Sequence, residues 1–251
     1  MVHNSKERAL SPREFELLMR GVQQIPKERQ RREAEFLILL TGRLGMRAGE
    51  VIHLTEDWIN WRDQRIEIPR FQDCHLGKDK ECCGYCSQAA KQMSNHYAPE
   101  EGMARTQERL FNKILDSGFK NGDELTEDDA EQLRWFAKTD AAARSVPFGW
   151  HPRSEIAIEQ FFDRGRDGWM LSKTAVNRRL NKALSYAEEL TEDSTMPHGL
   201  RATAASFHSS RGVPAITLQS LMGWSDMQTA RRYIRQSADT TSRALHHAHS
   251  I

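Results

Sequence analysis

Apolar residues return every three or four positions from Ser11 onward. Ser11-Pro12-Arg13-Glu14 places a capping hydroxyl, a proline at the first helical position and a glutamate three residues after the serine. "FELLM" supplies the apolar face behind it, so 11–25 predicts a helix. A second helical period covers about 30–43, with Ala34, Phe36, Leu37, Leu39 and Leu40 on the apolar side, and "GMRAGEVIHL" starts a short third helix. The period then falls to two. "WINWRDQRIEIP" predicts a strand at 65–69 after a turn at Arg62-Asp63, and "RSVPF" predicts a second at 144–148. Helical spacing resumes at 155–164, on Ile156, Ile158, Phe161 and Phe162, and at 172–189. Three or four short helices follow.

Between the strands, about 70–134 breaks the pattern and reads as an insert. It holds a cysteine cluster and helix-like segments near 100–118 and 126–136, the second capped by Thr126. The fold class expected is mainly α with a small antiparallel β-sheet, an α+β domain. There is no internal repeat and no low-complexity tract.

Composition narrows the class. The chain has 251 residues, 28% of them charged, and a mean hydropathy of -0.70, which fits a water-exposed fold of one large domain or two small ones. No apolar run approaches the ~20 residues of a membrane span, and "MVHNSKERALSPREF" lacks a signal-peptide core. No membrane association and a cytoplasmic location are expected. The net charge is only +1 but is unevenly spread. Pro197 to Ile251 carries six Arg against two Asp; Ala141 to Leu184 carries eight basic against four acidic residues; Glu101 to Asp140 carries six basic against ten acidic. A basic back half with an acidic insert suits a polyanion partner, or simply a solvated face.

Three boxes carry chemistry. Arg47 and Glu50 lie in "GRLGMRAGEVIHL", His198 and Arg201 in "HGLRATAAS", and Trp224 and Tyr233 in "LMGWSDMQTARRY". Singly, each has an ordinary explanation: a surface ion pair, a helix-terminal histidine, a core tryptophan, a half-buried tyrosine. In this order and spacing they resemble the tyrosine recombinases, the phage-integrase family of site-specific DNA recombinases. The resemblance implies the tyrosine recombinase catalytic-domain fold and strand cleavage through a phosphotyrosine. In that scheme Tyr233 is the nucleophile, and Arg47 and Arg201 clamp the non-bridging phosphate oxygens, since guanidinium stays charged and pairs with them in a fork. His198 assists proton transfer. Trp224 stands where many members have His and can donate a hydrogen bond but not shuttle protons. Glu50 orients the arginines. Lys138, in "AKTDAAARSVPF", matches the family's general-acid lysine although it lies 91 residues after Arg47; Lys78 and Lys80 are its rivals. Arg231, Arg232 and Arg235 are expected phosphate contacts.

The family further implies double-stranded DNA as partner, a homotetramer on two DNA sites, and no catalytic cofactor. The catalytic domain is expected over 11–251, after an arm at 1–10, with the insert at about 70–134 and a tail at about 237–251. The amino-terminal core-binding domain usual in the family is expected to be absent. A DNA-binding regulator without turnover, a zinc-dependent nucleic-acid-binding module built on the cysteine cluster, and a type IB topoisomerase are the rival readings.

"CHLGKDKECCGYC" holds all four cysteines. Cys83-Gly84-Tyr85-Cys86 is a CxxC turn that can present two thiolates to one zinc. Cys74 would be the third ligand, and Cys82, His75 or His96 the fourth; reduced thiols or a redox pair are the alternatives. A structural zinc would hold an insert with little apolar content of its own. The insert also resembles those of haloarchaeal integrase-like proteins.

Overall fold

The computed structural model describes residues 8–74, 76, 83–86, 134–137, 140–163, 173–187, 189–190, 196–234 and 249. Helix α1 spans Pro12–Gln23, α2 Glu28–Gly42 and α3 Ala48–His53. Strands β1 (Ile59–Asn60), β2 (Arg65–Ile68), β3 (Phe71–Asp73), β4 (Arg134–Phe136) and β5 (Arg144–Pro147) follow. Helices α4 (Pro152–Phe162), α5 (Lys173–Leu184), α6 (Pro197–Ser210), α7 (Ala215–Met222) and α8 (Met227–Arg231) complete the described chain. This is the mainly helical fold with a small antiparallel sheet that the periodicity predicts.

The predicted capping box on α1 is present: Glu14 N–H donates to Ser11 Oγ and the Ser11 amide donates to the Glu14 carboxylate. Helix α2 runs through the centre. Phe36 to Gly42 are all buried, as expected of a helix wrapped on every side, and it packs against α1, α4, α5 and α6. Its one buried carboxylate, Glu33, is matched by Arg29 Nε at 2.8 Å and Arg179 Nε of α5 at 2.7 Å. A smaller second cluster joins α6, α7 and the chain after α8 through Ala202, Ala205, Leu218, Met222 and Tyr233.

The main sheet has the order β1-β2-β5, antiparallel throughout. Ile66 and Ile68 of β2 and Val146 of β5 point to the core, and Ile68 pairs with Arg144. Strands β3 and β4 form a separate ribbon, Phe71 opposite Phe136 and Asp73 opposite Arg134. The helix expected over 126–136 is therefore corrected at its end, where Arg134–Phe136 is strand. Trp135 is 3% exposed and its ring lies 5.1 Å from that of Trp58; this tertiary pairing overrides a helix-like local composition. The remainder of that segment and the helix expected near 100–118 lie outside the described residues. Among the described residues no helix is long and apolar enough to cross a membrane.

Candidate active site and metal cluster

Arginine guanidinium groups converge on the end of α7. An α-helix leaves its last carbonyls without intrahelical donors, and its carboxyl end is the negative pole of the helix. Here three successive carbonyls each accept from a different arginine. Arg144 Nε donates to the Leu221 carbonyl at 2.7 Å, Arg201 Nη2 to that of Met222, and Arg47 Nη2 to that of Gly223 at 2.7 Å. Gly223 ends the helix at φ +59°, and a Cβ there would stand 2.9 Å from the Ala141 carbonyl oxygen. Only glycine fits that left-handed, crowded position without strain.

Glu50 is the counter-charge. Its carboxylate accepts from Arg144 Nη1 at 2.9 Å and Nη2 at 3.0 Å, a two-pronged pair, and from Arg47 Nη1 at 2.8 Å. The same carboxylate accepts the Arg47 backbone N–H at 2.8 Å, closing the amino end of α3. Glu50 and Arg144 side chains are 2% and 4% exposed, Arg47 21%. Burial alone would raise the Glu50 carboxyl, but Arg144 first, then Arg201 and Arg47, hold it down at about 2. Arg201 is buried, and its Nη1 donates to the Gly45 carbonyl. Desolvation and the neighbouring Arg47 charge push its pKa down, opposed by Glu50.

Trp224 follows Gly223 directly, and its ring stacks on Tyr233 with centroids 5.2 Å apart and planes 14° from parallel. The Tyr233 carbonyl accepts from Ser209 Oγ of α6 at 2.5 Å. Tyr233 is 8% exposed; burial raises its phenol pKa, and the nearby Arg201 and Arg232 charges pull against that. His198 lies in the first turn of α6, one turn before Arg201, and is exposed. Arg231 and Arg232 are exposed at the end of α8. The fold thus gathers Arg47, Glu50, Arg201, Trp224 and Tyr233 around the α7 terminus, with His198 at the start of the helix that carries Arg201. Lys138, Lys78, Lys80 and Arg235 lie outside the described residues. Arg144, which the sequence reading did not single out, makes the most hydrogen bonds of the arginines, four; its one sequence signal was a cationic residue opening a predicted strand.

A second cluster stands at the other end of α3. Cys74, Cys83 and Cys86 come together as expected, and the fourth group among the described residues is His53. His75, Cys82 and His96 lie outside those residues. His53 Nε2 is 3.5, 3.3 and 3.2 Å from the sulfurs of Cys74, Cys83 and Cys86. With Zn–S near 2.3 Å and Zn–N near 2.0–2.1 Å, a tetrahedral zinc needs N···S edges of about 3.5 Å. His53 Nδ1 lies 2.7 Å from the Gly49 carbonyl, the outer contact that sets the tautomer of a metal-ligating histidine and leaves Nε2 for the ion. Hydrogen bonding from Cys83, then Cys86, pushes the Cys74 thiol far down. All four groups are buried, and the donor set can hold a metal ion.

The profile of the Phage integrase family matches residues 152–240. Among solved structures, an integrase of the transposon Tn1549 in complex with transposon right-end DNA superposes with a TM-score of 0.55 at 15% identity, covering 97% of this chain and 66% of that one. The same integrase with a circular-intermediate DNA gives 0.57 at 14% identity, covering 95% and 65%. This chain therefore spans slightly less than two thirds of the integrase chains it matches. At such identity the likeness establishes the fold alone, one shared with those integrase chains. No curated protein matches the sequence.

Proposed function

We propose that this chain, whose residues 152–240 match the Phage integrase family, is a site-specific DNA recombinase that cleaves and rejoins strands through a 3′-phosphotyrosine. The observation that supports it best is the arginine cluster on the α7 carbonyls beside the Trp224–Tyr233 stack. Two guanidiniums fixed by backbone carbonyls and a buried carboxylate need no reorganisation when charge develops on a phosphate. Each guanidinium has five N–H donors, and the named bonds occupy two on Arg47 and two on Arg201.

In the reaction the Tyr233 oxygen attacks phosphorus, the new O–P bond forms and the bond to the 5′ oxygen breaks. The phenol proton leaves to a base, the role we assign to His198, and the departing 5′ oxygen takes a proton, the role assigned to Lys138. The phosphotyrosine conserves the bond energy, so the reverse attack by a 5′ hydroxyl reseals a strand without ATP. Glu50 and Arg144 position the arginines. Arg231, Arg232 and Arg235 contact the phosphates of double-stranded DNA, and four copies of the chain act on two sites. The catalytic domain spans 11–251, works on cytoplasmic, nucleoid DNA and uses no cofactor for the chemistry. The cluster of His53, Cys74, Cys83 and Cys86 takes a structural zinc.

A duplex nicked beside the cleavage site traps the intermediate, because the short fragment diffuses away. The wild-type chain should accumulate a denaturant-resistant protein–DNA adduct and Tyr233→Phe none. A wild-type chain that binds DNA but never forms the adduct would be a regulator on the same fold. Relaxation of supercoiled DNA without strand exchange would make it a type IB topoisomerase.

A further inference from the structure

Helix α3 is six residues long, Ala48–His53, and a helix that short does not persist unaided. Its amino end carries Arg47 as cap and Glu50 in the first turn; its last residue is His53. The two clusters are therefore the two ends of one small rigid body, about 9 Å apart along the axis at 1.5 Å per residue.

Two contacts tie α3 to the cysteine cluster, and a third ties it to β4. The His53 ring is locked to its own helix by the Nδ1 contact with Gly49 while Nε2 faces the three sulfurs. Tyr85, inside the CGYC turn, lies directly on Gly49: a Cβ at that position would stand 2.5 Å from the Tyr85 hydroxyl. Trp135 of β4 stacks on the His53 ring, centroids 5.5 Å apart and planes 24° from parallel. Tyr85 and the cysteines belong to a stretch of chain with little apolar content, so without an ion few forces would keep it seated.

We propose that zinc on His53, Cys74, Cys83 and Cys86 fixes α3 and so sets where Arg47 and Glu50 stand, making DNA cleavage metal-dependent although its chemistry uses no metal. This rests on reading Arg47 and Glu50 as parts of the cleavage site. His53 is then a positioning residue acting through α3, and the insert is a control element of the site.

The test uses the intact chain before and after zinc removal by a strong chelator, with zinc content, hydrogen–deuterium exchange of a peptide covering 44–56, exchange of α2 and adduct formation measured together. The expected result is one zinc per chain. Its removal should raise exchange in α3 at least tenfold while α2 stays protected, and cut adduct formation by roughly 10²-fold, as loss of a preorganised donor does. Zinc should restore both. In Arg47→Ala, chelation should lower the adduct no further, because the same donor is already gone. His53→Cys, which keeps four ligands, should retain zinc and α3 protection; His53→Ala should lose both.

A chain without zinc, or zinc loss that leaves α3 exchange unchanged, overturns the proposal. So does a uniform rise that includes α2, which would make the metal a general determinant of folding. Zinc-dependent protection of α3 in a chain that forms no adduct would leave the positioning role standing and remove the cleavage reading instead.

Discussion

Replacing Glu50 by Gln keeps the shape of the side chain and removes its charge. A carboxyl held at about 2 instead of 4.5 favours the folded state by about 3 kcal/mol at neutral pH. The group is 2% exposed, so solvent screening takes little from that figure. Its removal also leaves the guanidiniums of Arg144 and Arg47 facing a neutral amide that cannot accept the two-pronged pair and the Arg47 bonds together. Breaking a buried charge pair from one side costs about 3–5 kcal/mol, so Glu50→Gln should lose about that much in urea unfolding at pH 7. The pH dependence is the sharper readout. The folded-state pKa is depressed, so the stabilisation is full above the unfolded value of 4.5 and is lost as pH falls toward 2. The gap between wild type and Glu50→Gln should therefore narrow on acidification, by about 2 kcal/mol between pH 7 and pH 3. A deficit under about 1 kcal/mol at pH 7, or one that does not change with pH, would refute the picture of Glu50 as the ionised hub of the arginines.

Three further substitutions probe the same architecture. Arg144→Lys cannot span Glu50 and the Leu221 and Ala142 carbonyls at once; it should destabilise the fold by about 2–4 kcal/mol and lower the cleavage rate with DNA affinity nearly unchanged, as gel-shift and adduct assays would register. Gly223→Ala forces a side chain into the left-handed region and against the Ala141 carbonyl; thermal unfolding should show a loss of at least about 2 kcal/mol, with adduct formation falling as the Arg47 acceptor moves. Trp224→Ala removes the stacked cover of Tyr233 and should cost about 2–4 kcal/mol of stability while lowering the phenol pKa, which a spectrophotometric tyrosine titration detects.

Much of this architecture is legible in the chain before any coordinates. The capping box at Ser11, the apolar period of α2 and the alternation of β2 and β5 depend on neighbours a few residues away, which a sequence displays. The Arg47, His198–Arg201 and Trp224–Tyr233 boxes are legible for another reason: their order and spacing resemble those of the tyrosine recombinases, and under the proposed function phosphate chemistry would constrain residue type and spacing together. Arg144 was missed because its meaning lies in Glu50, 94 residues upstream, and nothing local distinguishes a buried arginine on a strand from an exposed one. His53 was missed because it sits in "VIHL", the apolar end of a helix, well before the first cysteine. What identifies it is the contact with Gly49 and three sulfurs, a property of the folded chain. Strand β4 went unread because "EDDAEQLRWF" has a helical composition, and only its pairing with β3 makes it extended.

The most direct measurement of the central claim is the chemical identity of the trapped linkage. Protease digestion of the adduct followed by mass spectrometry should recover a peptide in which Tyr233 carries a 3′-phosphoryl nucleotide, with a free 5′ hydroxyl on the released strand and no adduct from Tyr233→Phe. A link through the 5′ phosphate, a modified residue other than Tyr233, or an adduct that survives Tyr233→Phe would contradict it.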